Sequence, residues 1–236
     1  MLLLIRKYFL SQYKIMCFSA TASFGAGAVL TALGVVSVKT AVKPQQLPFA
    51  GIPLLFAAQQ IAEGFLWLSL QNSEYAVFRV PSTYMFLFFA QVFWPFWVPF
   101  AVLKLEPNER RKKFMKAMFA TGILVSLYFI SCMMIFPVNG VIEECHIFYT
   151  FGYPVIMTPI VSVFYALATI GSLMASSVKG MKLFGISVFI AYLITGIFYL
   201  DYFVSVWCFF SAILSLIIVS VIYRMRQLKA QTRHYE

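Results

Sequence analysis

Leu47-Pro48-Phe49-Ala50-Gly51-Ile52-Pro53-Leu54-Leu55-Phe56-Ala57-Ala58-Gln59-Gln60-Ile61-Ala62-Glu63-Gly64-Phe65-Leu66-Trp67-Leu68-Ser69 contains a single ionisable side chain, Glu63. At a rise of ~1.5 Å per residue, such a run is long enough to cross a hydrocarbon layer of roughly 30 Å as one helix. Six further runs share its character: Ala20 to Val38, Pro81 to Leu103, Ala117 to Phe136, Pro154 to Met174, Leu183 to Leu200 and Tyr202 to Tyr223. They are apolar at most positions and do not alternate with polar residues, which points to helices and away from a β-barrel. The composition agrees, with 62% hydrophobic and 11% charged residues in a chain of 236. The expected fold class is therefore all-α: a polytopic membrane protein of about seven transmembrane helices. Its single membrane domain covers residues 16–223, and a basic tail covers residues 224–236.

The basic residues orient the segments. Lys39 and Lys43 follow the first, Lys104, Arg110, Arg111, Lys112, Lys113 and Lys116 follow the third, and Lys179 and Lys182 follow the fifth. Arg224, Arg226, Lys229 and Arg233 follow the seventh, whereas the intervening loops hold Arg79, Glu74, Glu143, Glu144 and Asp201. When the helices alternate, all four basic clusters fall on one side, which the positive-inside bias makes cytoplasmic, with the N-terminus outside. The net charge of +10 then reflects topology and contact with anionic lipid headgroups, so nucleic acid is not expected as a partner. Residues 1–15 carry Arg6, Lys7 and Lys14 on the wrong side of this scheme. Either they form an interfacial amphipathic helix, or the reading frame starts at Met16, which removes the conflict.

Met16-Cys17-Phe18-Ser19-Ala20, followed by Ala22-Ser23-Phe24, resembles the opening of an uncharacterised family of bacterial multi-span membrane proteins that begin Met-Cys-Phe-Ser-Ala. Gln59-Gln60, Glu63-Gly64 and Trp67, together with Ser205-Val206-Trp207-Cys208-Phe209-Phe210, extend the resemblance. It implies a bacterial inner-membrane location and no assigned activity. An internal duplication is a second expectation. Ile61 to Leu68 aligns without a gap on Leu193 to Leu200, and Ser37-Val38-Lys39 matches Ser177-Val178-Lys179. The order is that of a 3+1+3 parallel repeat, as in small transporters, with unrelated spans of similar chemistry as the alternative.

An ionisable side chain within a span costs roughly 2.5 to 3.5 kcal/mol on insertion scales, which singles out Glu63. Gln60, Glu63 and Trp67 share a helical face, Gln59 lies at similar depth, and Gln91 in the third segment is near the same level. No Lys or Arg lies in any span. The carboxyl is therefore either neutral, or charged against a bound cation. The expected ligand-binding residues are Glu63, Gln59, Gln60 and Gln91, walled by Trp67, Trp94, Trp97 and Trp207, around a small solute or a proton. The competing reading makes the same polar groups interhelical glue worth about 1 kcal/mol each. Pro95 and Pro99 free backbone carbonyls and should kink or soften the third helix.

Catalysis is not expected. The chain has two histidines, His146 in a loop and His234 in the tail, too few for an embedded zinc or bis-histidine haem site, and no cofactor is expected. Cys17 and Cys145 are candidates for an external disulfide, and Glu143 to His146 for a weak metal loop. The sequence thus leads to a membrane protein that binds or moves a small solute or proton around Glu63. The alternative is a sensor or scaffold acting through the basic loop Lys104 to Lys116 and the tail.

Overall fold

The computed structural model describes residues 18–143, 146–153, 158–199 and 202–233. The N-terminal extension, the start at Met16 and the Cys17–Cys145 pairing lie outside them. Five helical runs are long and apolar enough to cross a membrane: α1 (Ala20–Thr40), α2 (Pro44–Gln71), α3 (Ser73–Leu105), α4 (Glu109–Ile135) and α6 (Met181–Phe198). A shorter apolar helix, α5 (Pro159–Ala175), precedes α6, and α7 (Phe203–Arg233) closes the described chain. Leu124 and Met134 of α4, Leu183 and Ile197 of α6 and Val29 of α1 are exposed on the outer faces. That much outward-facing aliphatic surface has lipid as its natural solvent, so the chain is a helical membrane protein.

Helix α1 starts where the Ser19 side chain accepts the Ala22 N–H at 3.2 Å, an N-cap that satisfies one of the free amides of the first turn. Its buried stripe of Ser23, Gly27, Leu30, Gly34 and Ser37 faces α2, with Gly27 against Ile61 and Gly34 against Leu54. Small residues at these spacings let two backbones approach closely in lipid. The glycines aligned by the expected repeat meet different neighbours, Gly64 meeting Phe24 of α1 and Gly196 meeting Phe203 of α7.

The third helix is not broken by its prolines. A π-helical turn, Phe88–Phe93, in which the Trp94 N–H reaches back to the Phe89 carbonyl, precedes Pro95, and Pro99 lies inside the regular helix that follows. Proline lacks an N–H, so carbonyls one turn before Pro95 and Pro99 lose their helical donor. In the π register the carbonyl that Pro95 leaves without a donor is that of Ala90, and a neighbouring helix supplies one, Tyr165 Oη donating to Ala90 O at 2.8 Å. Ser126 Oγ of α4 also donates to Val92 O at 2.6 Å. At Pro95 O the α4 backbone itself packs in, at Gly122. A Cβ there would lie 1.9 Å from that oxygen, so the crossing admits only glycine. A second π turn, Leu167–Gly171, interrupts α5.

The chain between α4 and α5, expected as an external loop, instead contains a β-hairpin: β1 (Val138–Glu143) antiparallel to β2 (His146–Phe151). His146-Ile147-Phe148-Tyr149-Thr150-Phe151 is too short to span, and its aromatic and β-branched residues favour a strand. Tyr149 stacks on Phe86 with ring centroids 5.3 Å apart, Arg79 donates to Gly140 O at 3.4 Å, and the His146 ring lies 4.6 Å from that of Tyr202.

At the opposite end the loops after α1, α3 and α5 meet the end of α7. Gln46 Nε2 donates to Met225 Sδ at 3.8 Å and Arg111 Nη1 to Ala175 O at 2.9 Å. Thus the basic clusters read along the sequence share one end. Here Glu106, 2% exposed, bridges the α3–α4 and α5–α6 loops. Its carboxylate accepts the Ser176 hydroxyl at 2.9 Å, the Ser177 N–H at 2.8 Å, the Ser177 hydroxyl and the Asn108 N–H at 3.1 Å. Burial alone would raise this carboxyl, but the Ser177 side chain and backbone, the Asn108 backbone and the Ser176 side chain together hold it below the ordinary carboxylate range. A depressed folded value stabilises the fold above the unfolded carboxyl value, and that contribution is lost as the pH falls through the folded one. Thermal unfolding in detergent across the acid range should therefore show the wild-type midpoint falling more steeply than that of Glu106→Gln, and parallel curves would count against the clasp.

Candidate functional site

A cavity of about 420 Å³ opens inside the bundle between α3, α5, α6 and α7, with Tyr149, Phe151 and Tyr153 of the hairpin end contributing to its lining. Its walls are mainly aromatic. Trp94 stacks on Phe56 at 4.0 Å, and Trp207 gathers Tyr165, Tyr192 and Phe203 at 5.5 to 5.8 Å. Gln91 is the amide in the lining, and it sits in the π turn of α3. Its Nε2 donates to Tyr153 Oη at 2.9 Å, and the Tyr153 hydroxyl lies 3.2 Å from Gln91 Oε1. Size and composition are those of ligand pockets, which occupy about 300–1,000 Å³ and are apolar with a few placed polar groups.

Of the residues expected from the sequence, Gln91, Trp94 and Trp207 line this cavity, whereas Glu63, Gln59, Gln60 and Trp67 do not. The others lie behind the wall or away from it. Gln59 Oε1 accepts the Trp94 indole N–H at 2.9 Å and so holds that ring in place. Glu63 is 1% exposed and bridges two helices. Its Oε1 accepts the Ser205 hydroxyl of α7 at 2.5 Å, and its Oε2 accepts Gln60 Nε2 at 3.3 Å. Ser205 adjoins the cavity-lining Val204 and stands two residues before Trp207, so the carboxyl anchors the stretch of α7 that supplies that wall. Trp67 is buried with its indole N–H unpartnered among the described residues, and Trp97 donates to Pro48 O at 3.1 Å.

Tyr153, Tyr165, Tyr192 and Tyr202 were not anticipated as site residues. A signal for one face was present, since Ser162, Tyr165 and Thr169 recur at spacings of three and four within the fifth apolar run and all line the cavity. Nothing comparable marked Tyr153 or Tyr202, which reach the site through the hairpin end and the start of α7. Of the expected metal loop, Glu143 and His146 face each other across the hairpin, and no group of three potential metal ligands occurs among the described residues.

Fold and cavity together define a helical membrane protein with an aromatic chamber inside its bundle. The chain matches a family of unknown function, DUF6629, over residues 16–233, and it belongs to that family. No curated protein and no solved structure matches it.

If Glu63 and Ser205 form one interhelical unit, removing either partner strands the other. Ser205→Ala should cost on the order of 1–3 kcal/mol in unfolding from detergent, and a double-mutant cycle with Glu63→Gln should be clearly non-additive. Strictly additive losses would show that the two side chains act independently.

Proposed function

We propose that this protein is a seven-helix component of the bacterial inner membrane that binds a small molecule in the cavity between α3, α5, α6 and α7. The observation that carries the reading is the 420 Å³ chamber with Gln91, Trp94 and Trp207 in its wall. In this reading Glu63, Gln59 and Gln60 position the wall from behind it. Transport of the bound solute is one use of such a site, and the π turns in α3 and α5 are where helices that move would flex.

The seven-helix count rests on the five long helices together with α5 and α7. At ~1.5 Å per residue the 31 residues of α7 exceed a bilayer core, so its last turns, with Arg224 and Arg226, extend into the headgroup layer and beyond. The basic end faces the cytoplasm and contacts anionic lipid, and the hairpin end faces outward. In intact cells, with the four native cysteines replaced by serine, a membrane-impermeant maleimide should label Glu74→Cys directly and Lys113→Cys only after permeabilisation. The opposite pattern would invert the topology.

Binding is tested by a thermal-shift screen of the purified protein against sugars, amino acids, amines, and neutral lipophilic compounds. A ligand at about 100 times its Kd should add ~2.7 kcal/mol of stability. It should stabilise wild type, less strongly Glu63→Gln, whose wall is anchored less firmly, and not Trp207→Leu. A compound whose effect is lost in Glu63→Gln and kept in Trp207→Leu would move the site to the carboxyl, and a screen in which nothing shifts wild type would remove the binding reading.

A further inference from the structure

The class of ligand, and the way it reaches the chamber, follow from three further observations, all resting on the cavity being a binding site. The described lining contains no Asp, Glu, Lys, Arg or His. A charged ligand would lie within the bilayer without a counter-charge, at a cost that hydrocarbon does not offset. The walls are two ring clusters, one around Trp94 and one around Trp207, which favour flat rings by offset or edge contacts. Between them Gln91 retains hydrogen-bonding capacity. A primary amide has two N–H donors and a carbonyl with two lone pairs, and Tyr153 engages one donor and one lone pair. Among the described residues one N–H therefore remains without a partner, available to an oxygen on the ligand.

The route comes from a second, smaller void. Ser187, Ala191, Phe210 and the lipid-exposed Ile190, Ile194 and Ile213 line a cleft of about 220 Å³ between α6 and α7. Leu214 belongs to the walls of both the cleft and the cavity. Among the described residues, Leu214 is the side chain that borders both the chamber and the cleft on the exposed surface. The small side chains of Ser187 and Ala191 leave the space in front of it.

From this we infer that the cavity takes a neutral, membrane-dissolved molecule with a flat ring carrying a carbonyl or hydroxyl oxygen, the chemistry of a quinone or phenolic lipid. It enters from the bilayer between α6 and α7, past Leu214. Gln91 donates to its oxygen, and the Trp94 and Trp207 clusters hold the ring. The same geometry disfavours sugars, amino acids and metal ions, which need several polar or charged partners.

The test uses the full chain in liposomes, with 2-methyl-1,4-naphthoquinone as probe and quenching of intrinsic tryptophan fluorescence as readout. The sulfonated form of the same ring and tetraethylammonium serve as charged comparisons. Saturable quenching by the neutral quinone is expected, at least tenfold tighter than by the sulfonate, with about a tenfold loss in Gln91→Leu as one hydrogen bond is removed. In stopped-flow mixing, Leu214→Ala should speed the approach to saturation and Leu214→Phe should slow it, while the thermal midpoint of each variant reports that it is folded. Equal binding of the sulfonate, or rates that ignore both Leu214 variants, would overturn the inference. Trp207-dependent binding of tetraethylammonium or of a sugar, without the quinone, would overturn the ligand class and leave the binding site standing. If no probe binds and the thermal-shift screen is also silent, the cavity reading falls with it.

Discussion

The bundle depends on how a proline-interrupted helix satisfies its carbonyls inside a membrane. In hydrocarbon there is no water to take over a lost backbone hydrogen bond, so each acceptor orphaned by Pro95 or Pro99 needs a protein partner. The third helix meets this demand with a π turn and by drawing in its neighbours. Tyr165 of α5 supplies such a partner at Ala90 O, and two contacts lock α4 alongside: Ser126 donates to Val92 O, and Gly122 lets the α4 backbone pack against Pro95 O. Two helices are thereby fixed against α3 at the depth of Gln91. A π turn also adds a residue to the helical circumference and shifts the facing of what lies on either side. Gln91 in the turn, with Ala90 and Trp94 beside it, lines the cavity.

A second consequence of the bilayer is the division of polar and aromatic groups into two layers. A polar side chain in a lipid-embedded bundle is cheapest when already paired, and Gln59, Gln60 and Glu63 are paired with protein groups: Trp94, each other, and Ser205. Their partners carry the rings that face the empty space. The expectation of a polar pocket with an aromatic rim therefore has its layers exchanged, with an aromatic chamber whose rings are held by polar groups behind them. The competing reading of Glu63 as interhelical glue and the reading of Trp94 and Trp207 as walls are joined by these contacts.

The ends of the molecule are built on different principles. At the basic end short loops converge, and a single carboxylate, Glu106, accepts donors from two of them. Its role was invisible along the chain because its partners Ser176 and Ser177 lie some seventy residues away, in a loop noted for its lysines and for its match to Ser37-Val38-Lys39. The other end is covered by the hairpin, where Tyr149 packs on Phe86 and the His146 ring lies beside Tyr202. That hairpin carries part of the lining, so the segment that looked like a connector contributes to the site.

The apolar runs, the membrane environment and the clustering of basic residues at alternate connections were legible in the sequence, because each is a sum of transfer free energies or charges over neighbouring residues. The ionisable Glu63 within a span and the prolines of the third helix were visible for the same reason. Which face of each helix turns inward is a different kind of quantity. It is decided by pairwise packing and by hydrogen bonds between residues far apart in the chain, Ser205 with Glu63 and Tyr153 with Gln91 among them. A π turn moves that facing by an amount no periodicity records, and a hairpin is selected only once its strands have an aromatic surface to lie on. Hydropathy is local and additive, so it determined what the chain is dissolved in. The cavity is a property of surfaces brought together, and only the tertiary structure decided it.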